Sequence, residues 1–237
     1  MKNPLRLTLS VALLAFFLGF APARSADLTI VSTVTAGKYT GTSTQYIGDH
    51  KVRVSNGRTE TIVDYENGKV VYIDHKKKRY SETSTEEMRR HFVELEKMLD
   101  ENPILSKMVG KVSEVTVERT GETRTIAGYP CEHYVLTMGK ALTFDVWATR
   151  KLEIPVSYYD GRKMLYASMG PMAARFEKML EAMKDIGGMA LAMTVSTKAM
   201  GFDAESTSEA TEVRIGPLPA DAFAIPAGYK KGKSAFE

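Results

Sequence analysis

Between Asp27 and Tyr80, apolar and β-branched residues come in short runs broken by turn residues at intervals of roughly ten positions. Leu28–Ala36 is rich in Thr, Val and Ile, the side chains that suit a pleated surface. Gly41–Ile47, Lys51–Ser55, Glu60–Tyr65 and Lys69–Asp74 continue the pattern. Tight hairpins are predicted at Asn56-Gly57 and Glu66-Asn67-Gly68, because Asn and Gly accept positive φ readily. Connections this short exclude parallel crossovers, so the pattern predicts an antiparallel meander.

The period then changes. Ser84 and Glu87 form a capping-box pattern, and Met88, Phe92, Leu95 and Leu99 follow at steps of four, three and four, on one helical face. Pro103 ends this helix, with a short second turn predicted at Ile104–Val109. Strands are predicted again at Val112–Arg119, Glu122–Ala127, Cys131–Met138 and Leu142–Thr149, with turns at Thr120-Gly121 and Gly139-Lys140. In the last of these, Leu142, Phe144 and Val146 point one way and Thr143, Asp145 and Trp147 the other. Beyond Pro155 the pattern predicts a strand at Lys163–Ala167 and a helix from Pro171 with the stripe Phe176, Met179, Leu180 and Met183. Two closing strands are predicted at Met189–Thr197 and Thr207–Ile215, then a Pro-punctuated end that frays from Lys230. No repeat or linker divides the chain, so one α+β domain over 26–237 is expected, built on a long antiparallel sheet.

The first residues obey different rules. Lys2 and Arg6 precede an apolar run, Leu7–Phe20, too short for a bilayer-spanning helix of about 20 residues. Small residues from Ala21 to Ala26 offer cleavage after Ala23 or Ser25. This is the pattern of a cleavable secretory signal at 1–25, and it places the protein in a periplasm; an uncleaved anchor is the alternative. No Cys follows the apolar run, so no lipid anchor is expected. Removing Lys2, Arg6 and Arg24 takes the formal charge of +3 to near zero, which gives no electrostatic case for nucleic acid. The single cysteine, Cys131, cannot form an internal disulfide, so the fold must stand on its apolar core.

Several blocks have a familiar cadence. These are Lys51-Val-Arg-Val54 with Thr61-Ile-Val-Asp64 and Val71-Tyr-Ile-Asp74, then Gly128-Tyr-Pro-Cys131 leading to Val146-Trp-Ala-Thr149. The third is the closing Phe223-Ala-Ile-Pro-Ala-Gly-Tyr229. The chain from Asp27 to Lys231 resembles a bacterial periplasmic family of unknown function, DUF4412-like, with the LolA/LolB-like fold of lipoprotein carriers. That resemblance implies a single curved antiparallel sheet, a half-barrel, with helices covering its concave face. In the lipoprotein carriers such a face receives acyl chains, but none of their functional residues map onto this sequence one by one.

Chemistry-bearing residues are sparse. Eight of thirteen methionines fall between Met164 and Met200. Met adapts to varied apolar partners, so the cluster is either a deformable lid for an acyl chain or ordinary core packing. Thioether spacings such as Met179 to Met183 and Met189 to Met193 also permit a copper site. His75-Lys76-Lys77-Lys78-Arg79 is either a solvated turn or a peripheral contact with anionic lipid. His50, His75, His91 and His133 show no metal-ligand spacing, and no nucleophile elbow, zincin helix or phosphate loop is present. No cofactor and no catalytic residue is therefore expected. Trp147 is a wall for an apolar ligand if it faces the cavity, and a packing residue or partner contact if it does not.

These observations predict a non-enzymatic periplasmic carrier that holds a lipid, lipoprotein acyl chain or other apolar ligand between sheet and helices. Phe92, Leu95, Trp147, Phe176, Met179 and Met183 form its expected site. The alternative is a sensor or scaffold that docks another envelope protein without a small ligand.

Overall fold

The computed structural model describes residues 27–102, 115–138, 142–154, 158, 186, 188–199 and 202–233. The segment 1–26 lies outside these, as do the features expected at Ile104–Val109, Lys163–Ala167 and from Pro171.

The first five strands form the expected meander, and a sixth that the pattern did not announce extends it: β1 (Leu28–Ala36), β2 (Tyr39–Ile47), β3 (Lys51–Ser55), β4 (Thr59–Asp64), β5 (Lys69–Asp74) and β6 (Arg79–Ser84). Each is antiparallel to the next. The turn between β3 and β4 is closed by Asn56, whose Oδ1 accepts the amides of Arg58 (3.0 Å) and Thr59 (2.8 Å). Helix α1 (Thr85–Glu101) starts where the capping box placed it. The Ser84 amide donates to Glu87 Oε2 at 2.8 Å, and the Glu87 amide donates back to Ser84 Oγ at 3.1 Å. It is the single helix of any length among the described residues, none of which is long and apolar enough to cross a membrane.

A second meander follows: β7 (Val115–Ile126), β8 (Tyr129–Met138), β9 (Leu142–Thr149), β10 (Met189–Ala199) and β11 (Phe202–Ile215). Two expectations are corrected here. Thr120-Gly121 does not separate two strands; it makes a bulge inside β7, where pairing with β8 jumps from Arg119 to Thr123. The true hairpin turn is Ala127-Gly128, both residues at positive φ (48° and 84°), as a tight hairpin requires. β11 also starts five residues earlier than expected. Its polar stretch Asp203–Ser206 pairs with β10, and Ser206 pairs with β1 as well.

With β12 (Lys230–Lys231), the strands of the described residues form one twelve-stranded sheet in the order β12-β6-β5-β4-β3-β2-β1-β11-β10-β9-β8-β7. The two meanders run outward from a central seam, β1 against β11, with Leu28 opposite Ile215 and Ala36 opposite Ser206. β12 pairs parallel with β6, which corrects the fraying expected from Lys230. The sheet is strongly curved at the β7 end. β7 and β11 stand four strand steps apart, or about 19 Å along a flat sheet. Yet their Cα atoms approach within 8 Å.

Candidate functional site

Two parts of the sheet concentrate side chains that could act on something outside the chain. The first is the β7–β10 region. Tyr134, Leu136 and Met138 of β8 and Val146 and Ala148 of β9 are at most 4% exposed. Register puts Tyr134 opposite Val146, Leu136 opposite Phe144 and Met138 opposite Leu142. Val117, Val115 and Met193 pack against the same clusters, so the apolar face spans four strands. Ile186, in the connection between β9 and β10, packs there too.

Trp147 alternates away from this row and is half-buried against a different cluster that includes Ile126, Cys131 and Met189. Its ring is already engaged by the chain's own groups. His133, its cross-strand partner, stacks on it with centroids 4.4 Å apart and planes at 16°. The Arg124 guanidinium lies 4.4 Å from the ring centroid and reaches Glu209 at 2.8 Å, across the curl. His133 is held by Thr120 (3.1 Å) and Asp145 (3.5 Å). Burial pushes the Cys131 thiol above its ordinary value, so this cysteine is an inert packing residue.

The second part lies under the C-terminal segment. Phe223, Ile225 and Tyr229 pack on Ile62, Val71 and Ile73. Beside them Arg53 donates to the carbonyls of Ala222 (2.9 Å), Asp221 (3.3 Å) and Ala224 (3.4 Å), and it pairs with Glu60. Glu60 Oε1 accepts from Ser55 (3.1 Å) and faces His75 Nε2 (2.9 Å), while His75 Nδ1 meets the Tyr229 hydroxyl at 2.8 Å. Burial alone would raise the Glu60 carboxyl. The His75 hydrogen bond, the Arg53 charge and the Ser55 bond outweigh it and hold the group below its ordinary value.

Serine, histidine and carboxylate meet here, but not as a catalytic relay. Ser55 donates to the carboxylate rather than to His75, and both histidine nitrogens are engaged, so no base is aimed at a nucleophile. The cluster is a latch for the C-terminal segment. Upstream of that segment, a cleft of about 660 Å³ opens over one rung of the sheet, Tyr46, Thr29 and Arg214, with Ile215 and Pro217–Pro219 as its wall.

The described structure places two of the six expected site side chains. Phe92 is half-buried on α1, its ring edge-on to His91 at 6.1 Å, and Trp147 lies on β9 in its own cluster. The Leu95 side chain and Phe176, Met179 and Met183 lie outside the described residues. Met189 and Met193, one of the candidate copper spacings, pack in two different clusters because a bulge between Ala190 and Ala192 intervenes. Among the described residues no three His, Cys, Asp or Glu groups converge as metal ligands. His75 turns inward to Glu60, so the basic run presented to solvent begins at Lys76. The latch escaped sequence reading because its partners are some 170 positions apart; the one available signal was Arg53 and Glu60 flanking a hairpin.

Several solved structures are similar to this chain. An uncharacterized conserved protein from Thermus thermophilus is 7% identical with a TM-score of 0.48, covering 89% of this chain and 91% of its own. PNGF-II is 13% identical with a TM-score of 0.43 over 88% of this chain, which spans only 31% of PNGF-II. A LolA superfamily protein from Nitrosomonas europaea is 8% identical with a TM-score of 0.27, covering 86% and 91%. No curated protein matches the chain. Residues 30–229 match the family described as "Domain of unknown function (DUF4412)", and the chain belongs to that family.

Proposed function

We propose that this protein is a non-enzymatic binding protein of the periplasm, holding one lipid or acyl chain against the apolar face of its curved sheet. The carrying observation is the connection between β9 and β10. These strands are antiparallel neighbours that a turn of a few residues could join, yet residues 150–188 intervene. That insertion holds Phe176, Met179, Met183 and much of the methionine cluster. Its residue Ile186 packs on the apolar face beside Val146 and Tyr134. On this reading the insertion and α1 form a deformable cover, with Phe92 and Leu95 on the helical side, while Trp147 lies on the opposite face of β9 and takes no part in it. Burying a few such side chains against one acyl chain supports about micromolar affinity after binding costs are subtracted. The N-terminal pattern at 1–25 supports delivery to the periplasm.

The test is native mass spectrometry of the exported chain, followed by organic extraction of what travels with it. A lipid near one per chain, lost in a folded Phe176→Asp variant, is the expected result. A clean apo mass, unchanged after incubation with lipids, would sink the carrier reading. A second reading is then favoured, in which the protein docks another envelope protein.

A further inference from the structure

The two basic stretches of this chain are remote in sequence and adjacent in space. Lys76–Arg79 form the turn between β5 and β6 and the start of β6, and all four side chains are exposed. β12 lies parallel to Arg79-Tyr80, tied by the Lys230 amide to the Lys78 carbonyl (3.1 Å) and by the Gly232 amide to the Tyr80 carbonyl (2.7 Å). Lys230, Lys231 and Lys233, all exposed, therefore join the turn at one edge of the sheet.

Acidic neighbours neutralise only part of this charge. Asp74 faces Lys77 at 3.5 Å, and Glu82 takes Lys231 at 2.6 Å and Lys69 at 3.4 Å. Lys76, Lys78, Arg79, Lys230 and Lys233 have no acidic partner among the described residues. The whole chain carries a formal charge of only +3, so this concentration is local.

We infer that this edge, β12 with the β5–β6 turn, is a docking surface for an anionic phospholipid bilayer. The surface is a splayed set of mostly lysine point charges. It is no pocket: the described cleft, lined by Thr29, Tyr46 and Arg214, lies elsewhere. A diffuse set of ammonium groups suits a sheet of head groups better than one buried anion, for which a planar arginine fork is the usual receptor. Tyr72 adds an amphipathic ring of the kind that settles at head-group level; it is 45% exposed and two residues from Asp74, the partner of Arg79 in register. This inference does not depend on the apolar-ligand reading, since it uses none of the same residues.

The experiment is flotation of the purified chain with vesicles of phosphatidylethanolamine and phosphatidylglycerol, against vesicles of phosphatidylcholine alone. All variants share one N-terminus, so differences between them report the patch. Each basic residue near such a surface strengthens binding about fivefold, so Lys78→Glu/Lys230→Glu/Lys233→Glu is expected to weaken it by more than about a hundredfold. A control with the same change of charge, Lys38→Glu/Arg119→Glu/Arg214→Glu, is expected to lose less than about tenfold. Binding of the unaltered chain is expected to fade in high salt, a reading that needs no variant to fold. Equal flotation with both vesicle types, flotation with neither, or an equal loss in the control would overturn the proposal.

Discussion

Arg53 ties β3 to a segment near the other end of the chain, and it does so with little water to share the load: its side chain is 12% exposed and that of Glu60 8%. Removing one partner of such a pair leaves the other charged and nearly dry. Arg53→Ala is therefore expected to lower unfolding free energy by about 3 kcal/mol in urea denaturation, against about 0.5 kcal/mol for an exposed pair such as Arg89–Glu86. Glu60 links the latch to pH. Its folded-state value lies below its ordinary 4.5, so its contribution is fully present above that value and is lost as pH falls through the lower folded one. Thermal melts should show a steep fall in Tm below about pH 4.5, and Glu60→Gln should flatten that limb; parallel curves for the two chains would remove Glu60 as its cause. Little of this was legible in advance. His75 reads as one more cation in a basic run, and only the closure of β4 and β5 over the C-terminal segment turns it toward Glu60 and Tyr229.

Elements announced by side-chain chemistry were legible, and those announced by backbone conformation were not. The first meander follows from β-branched runs and Asn-Gly turns, and α1 from its capping box. The Thr120-Gly121 pair carries the same turn signal but sits where β8 runs on as an unbroken partner, so the extra residues are absorbed as a bulge. Ala127, in contrast, hides a turn, because alanine does not advertise positive φ. Asn adopts that conformation more readily, so Ala127→Asn is expected to stabilise the β7–β8 hairpin by about 0.5–1 kcal/mol, read as a rise in the urea midpoint. Gly188 makes the opposite case at the start of β10. A Cβ there would stand 2.3 Å from the Thr149 carbonyl oxygen, at a φ of 114°. Gly188→Ala should therefore destabilise by about 2 kcal/mol or more, and an unchanged melt would show that β9 and β10 can part without penalty.

At the scale of the molecule, composition and period were enough to read a long antiparallel sheet, but not its strand order. Alternation along β1 reports that the strand has two faces and says nothing of which strand lies beside it. The apolar face of β9 was legible to the same extent: Leu142, Phe144 and Val146 share one row in the sequence, while the clusters they join are products of register. Register also sets a timetable. The seam between β1 and β11 joins Leu28 to Ile215, so the first strand made has only β2 beside it until nearly all of the chain exists. A high contact order of this kind implies slow folding that cannot finish until synthesis is all but complete. On the proposed export route, that delay would keep the chain in transportable form until the last strand has followed. It also means that fragments ending before Phe202 would present β1 as a raw edge, ready to pair with a neighbour's.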